Sequence, residues 1–410
     1  MNSFTIDTKY GIFNIYFIFL GRGLSMLFVK TDALSPGMRL AKPIYNKNGV
    51  LLYERGSRLT LPAINSVHNF GLIGIYILEP AEPVPPFSKE DLEYEQFQTV
   101  YTFKLRDIFE KIQKRLPIDS LPSVAEKVIE RYGTLRHRVN FNQNLRSADD
   151  FIYKHAISTA ILSAMMSHFI NMSEEDCQSL IIASLIYGFG YRFVPHNILN
   201  QEEPLSPEQQ TIVQFSLEKG LSYLRIHVSE SPVLRKAIAV AEYHILSTNP
   251  ERNKNDAHES IILLAEILKI AEQFDLMTGM NCGHKPESEI IAMNYLLDNR
   301  AIFSEPLVSI LAKCIHIIPA GASVDLSTGD KAIVLVENTI NFMRPVILRY
   351  SDNTIYDLSD DTLAERFQIV DLMKTMDNRV EIDEHTLEHF VADERLAEMT
   401  KRFREALKNS

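Results

Sequence analysis

The stretch Ala183-Ser184-Leu185-Ile186-Tyr187-Gly188-Phe189-Gly190-Tyr191-Arg192-Phe193-Val194-Pro195 changes character in its middle. Its first residues continue an apolar helix, and Gly188 and Gly190 end that helix. The helix begins at Ser173-Glu174-Glu175-Asp176, a cap whose acids sit where the helix dipole favours negative charge. About thirty residues upstream lies Tyr153-Lys154-His155-Ala156-Ile157-Ser158-Thr159-Ala160-Ile161-Leu162. It belongs to a long apolar helix opened by Ser147-Ala148-Asp149-Asp150 and running to about Ile170. One histidine early in such a helix, followed by a glycine-broken aromatic segment, is the local pattern around which the rest of the chain is read.

Working outward, the chain is helical from Ser88 to about His316. Apolar residues recur at three- and four-residue steps in Phe97–Leu116 and Val124–Tyr132. Ser206-Pro207-Glu208 starts a further helix with proline at its first position, and others cover Ser231–Ser247, Ala257–Met277, Pro286–Leu297 and Glu305–Ile315. Before this block, Met26 to about Glu82 reads as a small β-rich module. Ser35-Pro36-Gly37 is a turn, and Asn48-Gly49 joins Met38–Tyr45 and Val50–Tyr53 as a hairpin. Leu61–Phe70 has helical spacing, and Ile73–Leu78 is a short strand. Pro80, Pro83, Pro85 and Pro86 mark a linker. After Ile318-Pro319-Ala320-Gly321 the period shortens, and Ser323–Leu326, Lys331–Glu337 and Arg344–Tyr350 read as strands, with turns at Ser327–Asp330 and Ser351–Asn353.

The fold class is therefore mainly α: a helical bundle with a small β-rich N-terminal module and a small β-rich C-terminal appendix. The expected division is 1–25 extension, 26–82 module, 83–96 linker, 97–316 helical domain, 317–360 β-rich appendix and 361–410 acidic helical tail. Residues 1–25 read as an over-extended gene start, with Met26 the true start, or as a floppy extension. The alternative is that Gly11–Leu20 is the apolar core of a signal peptide, against which Asp7 and the lack of a small-residue cleavage site argue.

The chain has 410 residues and a formal net charge of −11. That balance disfavours a protein that coats nucleic acid, which needs a positive field. Of residues 351–410, 15 are acidic and 8 basic, so most of the negative charge belongs to the C-terminal stretch. It reads as a solvated tail, or functionally as a docking segment for a partner. Three cysteines make no disulfide framework and read as cytoplasmic thiols. No run reaches the ~20 apolar residues that cross a bilayer. Twelve histidines raise the question of a metal enzyme. There is no C-x-x-C and no H-E-x-x-H, and Cys282-Gly283-His284 alone reads as a loop rather than a zinc site.

The ordered set of segments carries more information than any one of them. It comprises the His155 helix, Ala183–Pro195, Ile198-Leu199-Asn200, Leu217-Glu218-Lys219-Gly220, Ala241-Glu242-Tyr243-His244, Ala265–Asp275, Ile315–Gly321 and Val324–Val334. From about Ser147 to Leu358 it resembles the HD-GYP domain, the metal-dependent cyclic di-GMP phosphodiesterase branch of the HD superfamily. The Met26–Glu82 module also resembles the small module that precedes such domains in Firmicute-type proteins.

The resemblance implies a bundle that holds two or three metal ions on imidazoles and carboxylates. His155 matches the first ligand position. The His-Asp pair that names the superfamily falls on Tyr187 and Gly188, and the following lysine on Tyr191, with Arg192 adjacent. The next histidine falls on Ser216. A histidine pair falls on Tyr243 and His244, a later aspartate on Glu272, and a glutamate that some members carry on Phe151. The Gly-Tyr-Pro signature is absent, with Thr248-Asn249-Pro250 and the polar stretch to Asn255 in its place.

Three donors remain, His155, His244 and Glu272, enough for a residual single divalent ion (Fe, Mn or Zn) but short of a two-metal centre. The bland reading of each is a hydrogen-bonded buried residue, and no cofactor is expected. Tyr187, Tyr191 and Arg192 are the candidate ligand-binding residues, the tyrosines either stacking on a base or filling the space of lost metals. Arg131, Arg136, Arg138 and Arg146 read as a solvated connector, or as a phosphate contact. The functional expectation is a catalytically degenerate, regulatory or scaffolding protein of cyclic dinucleotide signalling. It would be cytoplasmic, with a protein partner, no nucleic acid and no membrane, and a homodimer is the guess for its assembly. A non-hydrolysing cyclic di-GMP sensor and a phosphodiesterase with an altered metal site are the alternatives.

Overall fold

The computed structural model describes residues 26–372 apart from 35–37, 46–49, 55–56, 58, 71–73, 79–88, 136–137, 142–145, 147–148, 200–204, 227–230, 248–257, 280–285, 339 and 350–353. Several sequence expectations therefore lie outside the described residues. They concern the segment before Met26, both N-terminal turns, the proline linker, Arg136, the stretches 248–255 and 282–284, the turn at 351–353, and the chain after Leu372.

The N-terminal module contains β1 (Met26–Lys30), β2 (Arg39–Leu40), β3 (Ile44–Tyr45), β4 (Leu51–Tyr53), α1 (Leu61–Asn69) and β5 (Gly74–Leu78). The single strand expected over Met38–Tyr45 is broken. β2 pairs with β5 in a three-stranded antiparallel sheet of order β1-β5-β2, and only β3 pairs with β4. The break has two causes. Pro43 offers no N–H to a ladder, and Lys42 is wholly buried, its Nζ 2.9 Å from Glu95 Oε1 on the next helix. Leu40, Ala41, Leu59, Val67 and Ile75 form the module's own core.

The helical domain follows as α2 (Lys89–Gln113), α3 (Ser120–Tyr132), α4 (Phe151–Phe169), α5 (Glu174–Ile186), a 3-10 segment (Tyr187–Phe193), α6 (His196–Leu199), α7 (Pro207–Ile226), α8 (Pro232–Ser247), α9 (Glu259–Thr278), α10 (Glu289–Asp298) and α11 (Glu305–Cys314). α2 begins inside the stretch expected to be linker. α4 is apolar around its whole circumference, the mark of a helix surrounded by others, and α2, α3, α5, α9 and α11 pack against it. It ends at Asn171, whose φ of 53° is the left-handed cap conformation, while Met172 N–H returns to Ser167 O at 3.3 Å. α5 starts as expected, with the Ser173 hydroxyl accepting from Asp176 N–H.

The chain then forms β6 (Ser323–Leu326), β7 (Lys331–Val336), β8 (Val346–Arg349), β9 (Thr354–Asp357), the short α12 (Asp361–Arg366) and β10 (Ile369–Leu372). They make one antiparallel sheet of order β10-β6-β7-β8-β9. Its fifth strand comes from the stretch expected to be helical tail, and it inserts beside β6. Alternation along β7 explains why the sheet is attached. Ala332 and Val334 face the helical core, whereas Ile333 and Leu335 join Leu348 on the other side. Among the described residues no helix is long and apolar enough to cross a membrane.

Candidate functional site

Four elements bring the site together. α4 contributes His155 from its second turn. α9 contributes Glu272 and Asp275, which lie three residues apart and therefore on one face. α8 contributes His244. The end of α5 delivers Tyr187, where the α-helix tightens into the 3-10 segment. That segment presses its backbone on α7. A Cβ at Gly190 would come within 2.4 Å of Leu217 Cα, so only glycine permits the contact.

These side chains form a buried chain of hydrogen bonds. One guanidinium nitrogen of Arg146, Nη2, donates to both oxygens of Asp275, at 2.7 and 3.0 Å. Asp275 Oδ2 also lies 2.5 Å from His155 Nδ1. The opposite nitrogen of the same ring, Nε2, lies 2.6 Å from the Tyr187 hydroxyl. Tyr187 is 2% exposed, and its ring stands edge-on to His244 at 5.2 Å. His244 Nε2 lies 2.8 Å from Glu272 Oε2.

Burial pushes the Asp275 and Glu272 carboxyls and the Tyr187 phenol towards their neutral forms, and local partners decide the outcome. For Asp275, burial is outweighed by the Arg146 charge and the His155 hydrogen bond, which hold the carboxyl at about 2. For Glu272, burial is outweighed by His244, then by His155 and the Tyr187 hydroxyl, and the carboxyl is held below its usual range. Nothing comparable offsets burial at Tyr187, where Glu272 adds to it, so the phenol is pushed well above its ordinary value and keeps its proton. With Asp275 ionised, His155 Nδ1–H donates to it, and Nε2 shares the second hydrogen bond with the Tyr187 hydroxyl.

The donor set does not fit a two-metal centre. Both nitrogens of His155 are engaged, one of them by a phenol. The carboxylate that would bridge two ions is absent at Gly188, where a Cβ would instead stand 3.4 Å from the Tyr191 ring. Among the described residues, no group of three or more His, Cys, Asp and Glu side chains stands where it could hold a metal ion.

His155, His244 and Glu272 thus come together around Tyr187. The three candidate ligand-binding residues do not share one surface. Tyr187 is enclosed, and Tyr191 lies beside Gly188. Arg192 turns to Tyr153 OH at 2.5 Å and Gln113 Oε1 at 2.9 Å. Phe189 packs against Phe109 and Phe193. Ser216 hydrogen-bonds its own helix at Ile212 O.

The solvated-connector reading is corrected for Arg146, while Arg131 remains exposed. Arg146 is 0% exposed, because it must reach Asp275 inside the bundle. Arg138 pairs with Glu337, and Arg131 with Glu93. Arg146 and Asp275 are the site residues that sequence reading missed. The signal for Asp275 was an acid three residues after Glu272 on an otherwise apolar helix. Arg146 was read only as part of a basic stretch, and nothing local pointed to its pairing with Asp275.

A cleft of about 510 Å³ lies elsewhere, among α3, α4 and α5, and reaches Ser167, roughly 18 Å along α4 from His155 at ~1.5 Å per residue. Its lining includes Glu126, Glu130 and Glu174, which oppose a phosphate-bearing ligand.

Comparison with known proteins finds similarity to one domain family. The HD domain family matches residues 141–303. A cyclic di-GMP phosphodiesterase of Pseudomonas aeruginosa is 21% identical over 207 residues, covering 49% of this chain and 48% of that protein. The chain therefore spans about half the length of this curated relative. The structure of Bd1817, a HDG"Y"P protein from Bdellovibrio bacteriovorus, is similar over 70% of this chain and 97% of that one, with 13% identity and a TM-score of 0.41. The stretch that matches the HD domain family lies within the helical region and runs from the residues before α4 to those between α10 and α11.

Proposed function

We propose that this chain is a catalytically silent HD-GYP-type protein with a regulatory or scaffolding role in cyclic dinucleotide signalling. The observation that carries the reading is the Tyr187–His155 hydrogen bond. A hydrolytic metal site needs His155 Nε2 as a ligand and a bridging carboxylate beside it, whereas here the nitrogen faces a neutral phenol and position 188 has no side chain. The link to cyclic di-GMP rests on the activity named for the Pseudomonas relative.

The same reading includes a cytoplasmic setting and a protein partner. The net acidity of residues 351–410 supports a partner with a basic face. The test is turnover of cyclic di-GMP by the purified full chain supplied with Mn²⁺ or Fe²⁺. No hydrolysis above the buffer rate is expected. Metal-dependent turnover that tracks the protein peak through purification would refute the proposal.

A further inference from the structure

The C-terminal sheet is apolar on both faces. One face meets the helical core through Ala332 and Val334. The other carries Ile333 and Leu335 of β7 and Leu348 of β8, with Val336, Val346 and Ile355 beside them. A solvated face of an antiparallel sheet is polar instead. Ile333 and Leu335 are 8% exposed and Leu348 is 6% exposed. All six residues of this cluster come from β7, β8 and β9, so no described helix takes part in it. An apolar sheet face is stable against a second layer, which its own strands do not supply.

The described residues end at Leu372, the last of β10 in this same sheet, and 38 residues of sequence follow. Within them Leu396, Met399, Phe403 and Leu407 recur at steps of three and four, the spacing of one helix face. Glu394, Glu398, Lys401 and Glu405 fall on the opposite face of the same period. A helix over 392–407 would be about 24 Å long at ~1.5 Å per residue. The six residues of β7 run about 20 Å at ~3.3 Å each, so the lengths match. The connection is ample as well. The twenty residues from 373 to 392 reach at most ~66–72 Å, whereas β8 lies three strand spacings from β10, roughly 14 Å.

We infer that residues 392–407 of this chain are the layer that covers the outer face of the C-terminal sheet, with Leu396, Met399, Phe403 and Leu407 seated on the cluster of Ile333, Leu335 and Leu348. The tail is then held by its apolar side, and a partner meets its charged side. The inference is independent of whether the chain turns over cyclic di-GMP.

The test is photocrosslinking in the full-length protein with Ile355 replaced by p-benzoylphenylalanine, after thermal unfolding has shown that the protein is folded. Ile355 lies on the edge strand β9 and is only partly buried. The expected product has the mass of one chain, and peptide mapping is expected to place the link within residues 392–407. A link between two chains assigns the face to a second copy and overturns the inference. A link to any other segment, residues 1–25 included, overturns it too, as does folded protein that forms no link. A second measurement leaves the sheet unaltered. Leu396→Asp and Phe403→Asp are each expected to speed amide hydrogen exchange in β8 and β9 roughly tenfold or more, because uncovering one Leu- or Ile-sized side chain is worth about that factor. Glu398→Gln, on the opposite helix face, is expected to leave exchange unchanged. Exchange in Leu396→Asp and Phe403→Asp equal to that of the native chain overturns the inference. Failure of the silent-enzyme reading shows separately, as turnover by the native chain.

Discussion

Arg146 Nη2 donates to both carboxylate oxygens of Asp275, 129 residues further along the chain, and neither side chain has any exposed surface. The pair joins the segment before α4 to α9 and, through Asp275, orients His155. Breaking a buried ion pair from one side strands a charge and costs about 3–5 kcal/mol. Arg146→Ala and Asp275→Asn are each expected to lower the unfolding free energy by about that amount in urea titrations. The double variant should lose less than the sum of the two. Fully additive losses would show that the pair is not coupled.

Gly279 is tied to the same pair. A Cβ there would fall 2.7 Å from Arg146 Nη1 and 2.6 Å from Asp275 O. Gly279→Ala must displace either the guanidinium or the last turn of α9, and overpacking of this kind costs about 1–3 kcal/mol. Thermal unfolding of the full chain checks this. An unchanged midpoint would mean that the guanidinium moves freely.

Tyr187→Phe removes one oxygen and leaves His155 Nε2 buried without its partner. The expected loss is about 1–3 kcal/mol, the usual penalty for an orphaned buried polar group. Chemical denaturation measures it. Stability equal to the native chain would mean that water or Glu272 takes over the bond.

Lys42 and Glu95 form a second buried pair, 2.9 Å apart, which pins the N-terminal module to α2. Lys42→Ala is expected to loosen the module, read as faster amide hydrogen exchange in β1 and β5. Replacing both residues with apolar ones of similar volume should restore protection, because such swaps are often neutral or stabilising.

Glu337 supplies the pH dependence. Burial raises its pKa, but the hydrogen bond and charge of His316, the Ala320 N–H and Arg138 together bring it below the ordinary value of 4.5. A depressed carboxylate stabilises the fold above its unfolded pKa, and that contribution is lost as the pH falls through the folded value. Stability of the native chain should therefore decline below about pH 4.5, and Glu337→Gln should flatten that limb. Parallel acid limbs for the two proteins would remove Glu337 from the account.

Much of the architecture was legible because it is written in local periods. Most helices of the bundle follow apolar runs or spacing, and the cap at Ser173 and the proline that opens α7 lie where their chemistry requires. The strands β6 to β8 alternate as expected. The misreadings occurred where a distant partner overrode a local pattern. The run from Met38 to Tyr45 is split because Lys42 turns inward to Glu95. Residues Ile369–Leu372 form a strand because β6 presents an open edge beside them.

The sequence by itself determined the helical class, the break of α5 at Tyr187, and the presence of tyrosine and glycine where the resemblance places a histidine and an aspartate. These follow from composition and spacing along a few turns. Only the tertiary structure decided that Tyr187 meets His155, that His244 turns to Glu272, and that Arg146 lies inside the bundle rather than in solvent. Such pairings depend on which helix faces cross in space, and long-range packing, not local periodicity, selects the partner of a buried polar group.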